Sequence, residues 1–240
     1  MNHNGSIKMA RQLIDVAAEA GADVVKFQTF KADKVVSKYA PKAAYQKQTT
    51  AKGETQLEVV RKLELDESAH RNLLEHCRRR GIEFLSTPFD FESVDLLVRK
   101  LKLRRLKIPS GEITNGPYLL HVARTGKPVI LSTGMSTLGE IEKALGVLAF
   151  GYLSKTNKPS LEKFQKAYAS AKGRKILREK VSLLHCTTEY PAPFDDVNLR
   201  AMETMRNAFG LPVGLSDHTT GIAVPIAAVA MGAAIIEKHF

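Results

Sequence analysis

Val213-Gly214-Leu215-Ser216-Asp217-His218 and Ala234-Ile235-Ile236-Glu237-Lys238-His239-Phe240 are two short apolar runs, each closing on a histidine. The apolar segment between them, 222–231, has the length of a helix rather than a strand. Strand, helix, strand in that order is a parallel βαβ unit, because a tight hairpin cannot return the chain in its original direction. Two imidazoles at neighbouring strand ends are also placed to hold one divalent metal.

Towards the start of the chain the same alternation recurs. Helices are expected over 7–20, opened by Ser6 and closed by Gly21, and over 67–80, opened by Asp66 and leading into Gly81. Further helices are expected over 92–100, 117–124, 138–149 and 198–207. Strands are expected over 24–30, 84–87, 105–110, 128–133 and 181–187. With 213–216 and 234–240 that makes seven strands, in a series that begins on a helix and ends on a strand. A closed (β/α)₈ barrel needs an eighth strand and a final helix, and its usual length of about 250 residues suits a chain of this size. The chain therefore reads as α/β, an incomplete TIM (β/α)₈ barrel: one domain over 1–240, truncated at both ends, lacking a first strand and a last helix. A doubly wound sheet is the alternative, but no glycine-rich fingerprint follows any strand. The polar stretch from Lys31 to about Thr55 reads as a long loop, of the kind that tends to be functional. The Lys-, Ser- and Ala-rich region 150–180 reads as an inserted excursion.

Composition narrows the function classes. Only Cys77 and Cys186 occur, which argues against a disulfide framework and for a reducing, cytoplasmic setting. No apolar stretch approaches the roughly 20 residues of a membrane helix, and Met1-Asn2-His3-Asn4-Gly5 does not read as a signal peptide. The net charge is +11. Much of that excess lies in 99–105 and 155–180, without aromatic interleaving or a zinc or RNP motif, so solvated helix faces explain it better than nucleic-acid binding. A smaller share can steer an anionic substrate.

In barrels of this class the active site lies at the C-terminal strand ends. Those positions carry Lys26 and Gln28, Ser86 and Thr87, Lys107, Ser110 and Glu112, then Ser132 and Thr133. His185, Thr187, Glu189 and Tyr190 follow, then Ser216, Asp217 and His218, and finally Glu237 and His239. Two lysines on inner strands require an anionic partner. With the hydroxyls and the backbone amides near Gly111 and Gly134 they make a site for a phosphate and a carboxylate. Period-two alternation puts Lys26 with Gln28, Ser216 with His218 and Glu237 with His239. A lone strand histidine is usually a hydrogen-bonded core residue, but the pair His218 and His239 at strand ends favours metal ligation. Carboxylates or substrate oxygens would complete a mixed N/O set suited to Mn²⁺. Cys186 reads as a packed, inert thiol, and His70, His76 and His121, on helices, read as surface residues.

Eight segments in order then carry a resemblance over the length of the chain. They are Asn2-His3-Asn4-Gly5-Ser6, Val25-Lys26-Phe27-Gln28-Thr29, Ser86-Thr87-Pro88-Phe89, Lys107-Ile108-Pro109-Ser110-Gly111-Glu112, Leu131-Ser132-Thr133-Gly134-Met135, His185-Cys186-Thr187-Thr188-Glu189-Tyr190-Pro191, Gly214-Leu215-Ser216-Asp217-His218-Thr219 and Glu237-Lys238-His239-Phe240. Together they resemble N-acetylneuraminate (sialic acid) synthase and its nonulosonate-synthase relatives.

The resemblance implies condensation of phosphoenolpyruvate with N-acetylmannosamine or a related 2-acetamido sugar, giving N-acetylneuraminate and phosphate. It implies Lys26, Thr87, Lys107, Ser110, Ser132 and Ser216 as ligands of phosphoenolpyruvate, with Lys26, Lys107 and Glu112 as the catalytic set. Gln28, Glu112 and Tyr190 would face the sugar. His218 and His239 would ligate Mn²⁺, or Mg²⁺ in its place. Residues 1–240 hold no counterpart of the family's glutamate before the Asn-His pair, of its aspartate beyond the last strand, or of its antifreeze-like C-terminal domain. That domain reaches across a dimer, so a homodimer is expected of the full-length protein and reduced activity of the isolated portion. Thr188 stands where some sialic acid synthases have a sugar-side asparagine, which opens legionaminate and other nonulosonate synthases as alternatives. A metal-dependent pyruvate aldolase on the same fold is a further alternative.

Overall fold

Every strand pair among the described residues is parallel, as the βα alternation requires. The computed structural model describes residues 2–41 and 54–240. They fall into two units, Met1–Leu103 and Arg104–Phe240.

The first unit contains α1 (Ile7–Glu19), β1 (Val24–Thr29), α2 (Ala32–Val35), α3 (Gln56–Arg61), α4 (Glu67–Arg80), β2 (Glu83–Pro88) and α5 (Phe91–Asp95). Ser6 caps α1 by accepting the Met9 amide, and Ala10, Ile14 and Ala17 form its buried stripe. Asp66 caps α4, and Gly81 closes it in the left-handed conformation after three arginines that complement the helix dipole. The helix expected over 92–100 is α5 followed by a π turn, Leu96–Lys100. The loop expected from Lys31 to Thr55 includes α2, and 42–53 lie outside the described residues. Sequence reading missed α3, although Thr55 and Glu58 spell its capping box.

Strands β1 and β2 pair in register, Lys26 opposite Leu85 and Gln28 opposite Thr87. Alternation puts Phe27, Thr29, Phe84 and Ser86 on one face and Lys26, Gln28 and Thr87 on the other. The first face meets α4 through His70, which is 0% exposed and not the surface residue expected. Its Nδ1 faces the Asp66 carbonyl at 2.8 Å and must carry the proton, since a carbonyl only accepts. Its Nε2 therefore accepts from Thr29 Oγ1 at 2.7 Å, and Ser86 Oγ lies 2.7 Å beyond. Burial lowers the His70 pKa from its ordinary 6.5, so the folded state holds it neutral. The unfolded chain binds the proton more readily. Stability is therefore full above about pH 6.5 and is lost as pH falls towards the folded value. His70→Ala is expected to cost about 2–4 kcal/mol in urea unfolding at pH 7.5, from lost volume and stranded hydroxyls. The same variant should show a shallower stability slope between pH 6.5 and 5. An unchanged slope would remove His70 as its source.

The second unit contains β3 (Leu106–Ile108), a 3₁₀ turn (Ser110–Glu112), α6 (Gly116–Arg124), β4 (Val129–Ser132), α7 (Leu138–Leu153), α8 (Leu161–Ala169), α9 (Ala171–Lys180), β5 (Val181–Cys186), α10 (Arg200–Phe209), β6 (Val213–Asp217), α11 (Ala223–Ala230) and β7 (Ile236–Lys238). Its sheet runs β3-β4-β5-β6-β7, in chain order. That order excludes the doubly wound alternative, in which the order of the parallel strands reverses at a switch point. Two paired strands in the first unit and five in the second, parallel within each sheet and taken in sequence with helices between, fit the incomplete (β/α)₈ class read from the sequence.

Region 150–180, expected as an inserted excursion, is helical: the end of α7 is followed by the α8–α9 hairpin before β5 begins. Helix α7 runs on to Leu153 and buries nine residues around its circumference, too many for one partner to cover. Helix α6 covers one side: a Cβ on Gly151 would lie 2.6 Å from the Ala123 Cβ. The α8–α9 hairpin covers another side, with Phe164 set edge-on to Phe150 at 5.2 Å. Lysines and arginines of the hairpin lie largely on its exposed faces, which accounts for much of the positive charge. Among the described residues no helix is long and apolar enough to cross a membrane.

Candidate active site

Parallel register and alternation decide which side chains meet on the second unit's sheet. Lys107 lies opposite Ile130, Ser132 opposite Leu184, Cys186 opposite Ser216, and Ser216 opposite Glu237. Lys107, Ser132, Cys186, Ser216 and Glu237 therefore share one face. Lys107 is 3% exposed and donates to Ser132 Oγ. Its Nζ lies 3.6 Å from Glu237 Oε1, and the same carboxylate accepts from Ser216 Oγ at 2.7 Å. A buried ammonium without a counter-charge is costly, and Glu237 supplies such a charge.

Two residues further along their strands stand His218 and His239, with ring centroids 5.0 Å apart. Tyr190 stacks on His218 at 4.0 Å and presents an edge contact to His239 at 5.5 Å. His218 Nδ1 lies 2.5 Å from the Thr187 carbonyl and must donate to it. That assigns the tautomer and leaves a lone pair on Nε2, the arrangement by which a backbone carbonyl orients a metal-ligating imidazole. Burial lowers the His218 pKa, against the opposing pull of the Thr187 bond. The neutral form that binds metals is thus favoured. Among the described residues, no group of three or more His, Cys, Asp or Glu side chains is placed to hold a metal. The pair therefore fits a divalent cation only as a partial set, to be completed by water or substrate oxygens.

The other expected residues are placed less centrally. Ser110 and Glu112 lie in the turn after β3. Glu112 accepts from Asn115 Nδ2 at 2.7 Å beside the start of α6. Ser110 is held against Gly134, where an added Cβ would come within 2.6 Å of its Cβ and Oγ and 3.3 Å of Thr188 Cγ2. The Gly134 φ of +48° makes that approach doubly dependent on glycine. Its amide donates to Cys186 Sγ at 3.2 Å. Cys186 is buried as expected, yet it belongs to the polar face. His185, surveyed as a strand-end candidate, points the other way and binds the Val197 carbonyl at 2.6 Å.

In the first unit, Lys26, Gln28 and Thr87 share a face, and Ser86 is excluded from it by alternation. Thr87 Oγ1 is buried without a hydrogen-bonding partner among the described residues, a state that suits a hydroxyl awaiting a ligand.

Sequence reading named Asp217 and Glu237 as strand-end residues without their ion-pair partners, and passed over Lys238. The signal was present in the paired triplets Ser216-Asp217-His218 and Glu237-Lys238-His239, in which each residue precedes or follows its counterpart at the same offset.

Comparison with known proteins gives a family. The model of the NeuB family matches residues 13–240. The N,N'-diacetyllegionaminic acid synthase of Campylobacter jejuni is 53% identical over 240 residues, covering 100% of this chain and 65% of that protein. The synthase of the same name from Legionella pneumophila is 49% identical, covering 100% and 61%. The chain thus spans less than two thirds of the length of these relatives. Among solved structures, the N-acetylneuraminic acid synthetase of Leptospira borgpetersenii, in complex with citrate, aligns with a TM-score of 0.75 at 32% identity, covering 100% of this chain and 70% of that one.

Proposed function

We propose that this chain, which belongs to the NeuB family, carries the catalytic portion of a nonulosonate synthase that condenses phosphoenolpyruvate with an acetamido-sugar aldehyde and releases phosphate. The observation that carries this reading is the cluster on the second unit's sheet. A buried lysine with two hydroxyls stands on the same strand-end face as two adjacent histidines, of which His218 is oriented by the Thr187 carbonyl. Such a face offers cationic and hydroxyl groups to an anion and nitrogen ligands to a cation, the two requirements of this reaction.

In the proposed reaction C3 of phosphoenolpyruvate bonds to the aldehyde carbon, whose oxygen becomes a hydroxyl. Water adds at C2 as the bond from C2 to the phosphate oxygen breaks, leaving a 2-keto acid and inorganic phosphate. Lys107, Ser132 and Ser216 hold the anionic substrate and oppose the charge that develops on the departing phosphate. Lys26, Thr87 and Ser110 take the same role on the resemblance, with Gln28, Glu112 and Tyr190 towards the sugar. His218 and His239 would hold Mn²⁺, or Mg²⁺, which would supply Lewis-acid polarisation of the aldehyde oxygen.

Relatives named for legionaminic acid at 53% and 49% identity favour an acceptor with two acetamido groups. N-acetylmannosamine, the acceptor expected first, has the weaker support of a 32% identical sialic acid synthetase. A homodimer and a cytoplasmic setting belong to the same proposal, the latter supported by two free, buried thiols.

The test is phosphate release from phosphoenolpyruvate in the presence of Mn²⁺ and either sugar, with the product identified by mass. Release that depends on a diacetamido hexose, more than on N-acetylmannosamine, is expected. Consumption of pyruvate without phosphate release would replace the reading with an aldolase.

A further inference from the structure

The triplets that end β6 and β7 lie side by side. Ser216 is opposite Glu237 and Asp217 is opposite Lys238. Alternation sends the outer members of each triplet to the face that carries Lys107, and the middle members to the reverse face. There the middle members form a closed clamp. Lys238 Nζ lies 2.5 Å from Asp217 Oδ2 and donates to the Thr219 carbonyl at 2.8 Å. Asp217 Oδ1 takes the Thr219 amide at 2.9 Å and its hydroxyl at 2.7 Å. The Asp217 side chain is 1% exposed.

We propose that Asp217 and Lys238 are positioning residues, which set the spacing of His218 and His239 and through it the affinity for a divalent cation. The inference rests on the metal reading above. Each histidine is one residue past a clamped one, so sliding or fraying of either strand end separates the imidazoles. β7 needs such a device more than the other strands do. It is three residues long, half-buried throughout, and pairs only with β6 among the described residues. Metal–ligand distances must hold to within about 0.2 Å, a tolerance that an unrestrained strand end does not meet. An ion pair whose carboxylate is 1% exposed and whose ammonium is 30% exposed contributes little net stability compared with apolar packing, so its geometric constraint is the property that distinguishes it.

The test titrates the intact protein with Mn²⁺ as the probe, following the free ion by electron paramagnetic resonance. Wild type is expected to bind Mn²⁺ and His218→Ala to lose it. Lys238→Met should bind 10–100-fold more weakly, the effect of removing an orienting partner outside the ligand set. Lys238→Arg, which keeps the charge, should recover most of the affinity. Since Lys238→Met strands a buried carboxylate and can fail to fold, Asp217→Asn is measured beside it. Asparagine keeps an acceptor for Thr219 while removing the charge, and circular dichroism checks each fold. In turnover, the Mn²⁺ needed for half-maximal rate should rise while kcat at saturating Mn²⁺ recovers, a split that general destabilisation does not produce. A folded Lys238→Met or Asp217→Asn protein with wild-type Mn²⁺ affinity would overturn the inference. Wild-type protein that takes up no Mn²⁺ would instead overturn the metal reading, and the wild-type titration alone tells the two failures apart.

Discussion

His218→Ala is expected to abolish metal-dependent turnover, by about a thousandfold or more at a fixed Mn²⁺ concentration, because a Lewis acid supplies several kcal/mol of transition-state stabilisation. The variant removes more than one nitrogen. It frees the Thr187 carbonyl from its 2.5 Å bond and takes away the ring on which Tyr190 stacks at 4.0 Å. His239→Ala is expected to lose as much. The comparison variant is His76→Ala, on α4, where the imidazole only pairs with Asp15 at 2.8 Å. Its turnover should stay within about twofold of wild type, since a partly exposed pair of this kind contributes at most about 1 kcal/mol to stability. His70→Ala makes a poor comparison, because that imidazole is buried in the Thr29–Ser86 network and its loss lowers stability directly. Equal phosphate release from His218→Ala, His239→Ala and His76→Ala would remove the metal assignment.

The residues that sequence reading placed well are those whose position follows from alternation alone. Ser216 with His218 and Glu237 with His239 could be assigned to common faces before any coordinates, because a strand has period two whatever it pairs with. Likewise the capped helices α1 and α4 announced themselves by Ser6, Asp66, Gly21 and Gly81. What alternation within one strand cannot supply is register between strands. Only register reveals that Cys186, Ser216 and Glu237 form a row, and that Asp217 meets Lys238 on the reverse face. His70 failed for a related reason. A helix with mean composition as polar as α4 gives little sign that one of its histidines turns inwards to a threonine forty-one residues earlier in the chain. The region 150–180 reads as an insertion from its composition, and a helical hairpin does stand there between α7 and β5; that the hairpin covers α7 is written in the apolar residues of α7 rather than in the Lys-rich segment that answers it.

Lys107→Met should lower kcat/KM for phosphoenolpyruvate by about 10²–10³, the usual consequence of removing one preorganised group from a developing charge. The loss should fall mainly on phosphoenolpyruvate, with the KM for the sugar changed little, because the ammonium lies with Ser132 and Ser216 on the anion side of the proposed site. The same ammonium stands 3.6 Å from Glu237, so the variant also takes a counter-charge from a buried carboxylate that accepts from Ser216. Breaking such a pair costs about 3–5 kcal/mol, enough to confuse a loss of catalysis with a loss of fold. Lys107→Met combined with Glu237→Gln removes both charges, keeps an acceptor for Ser216, and should restore much of the stability seen in urea unfolding. Its kcat/KM should not recover, because the anion still lacks its cation. A double variant that regains both stability and wild-type kcat/KM for phosphoenolpyruvate would show that Lys107 serves only as the counter-ion of Glu237.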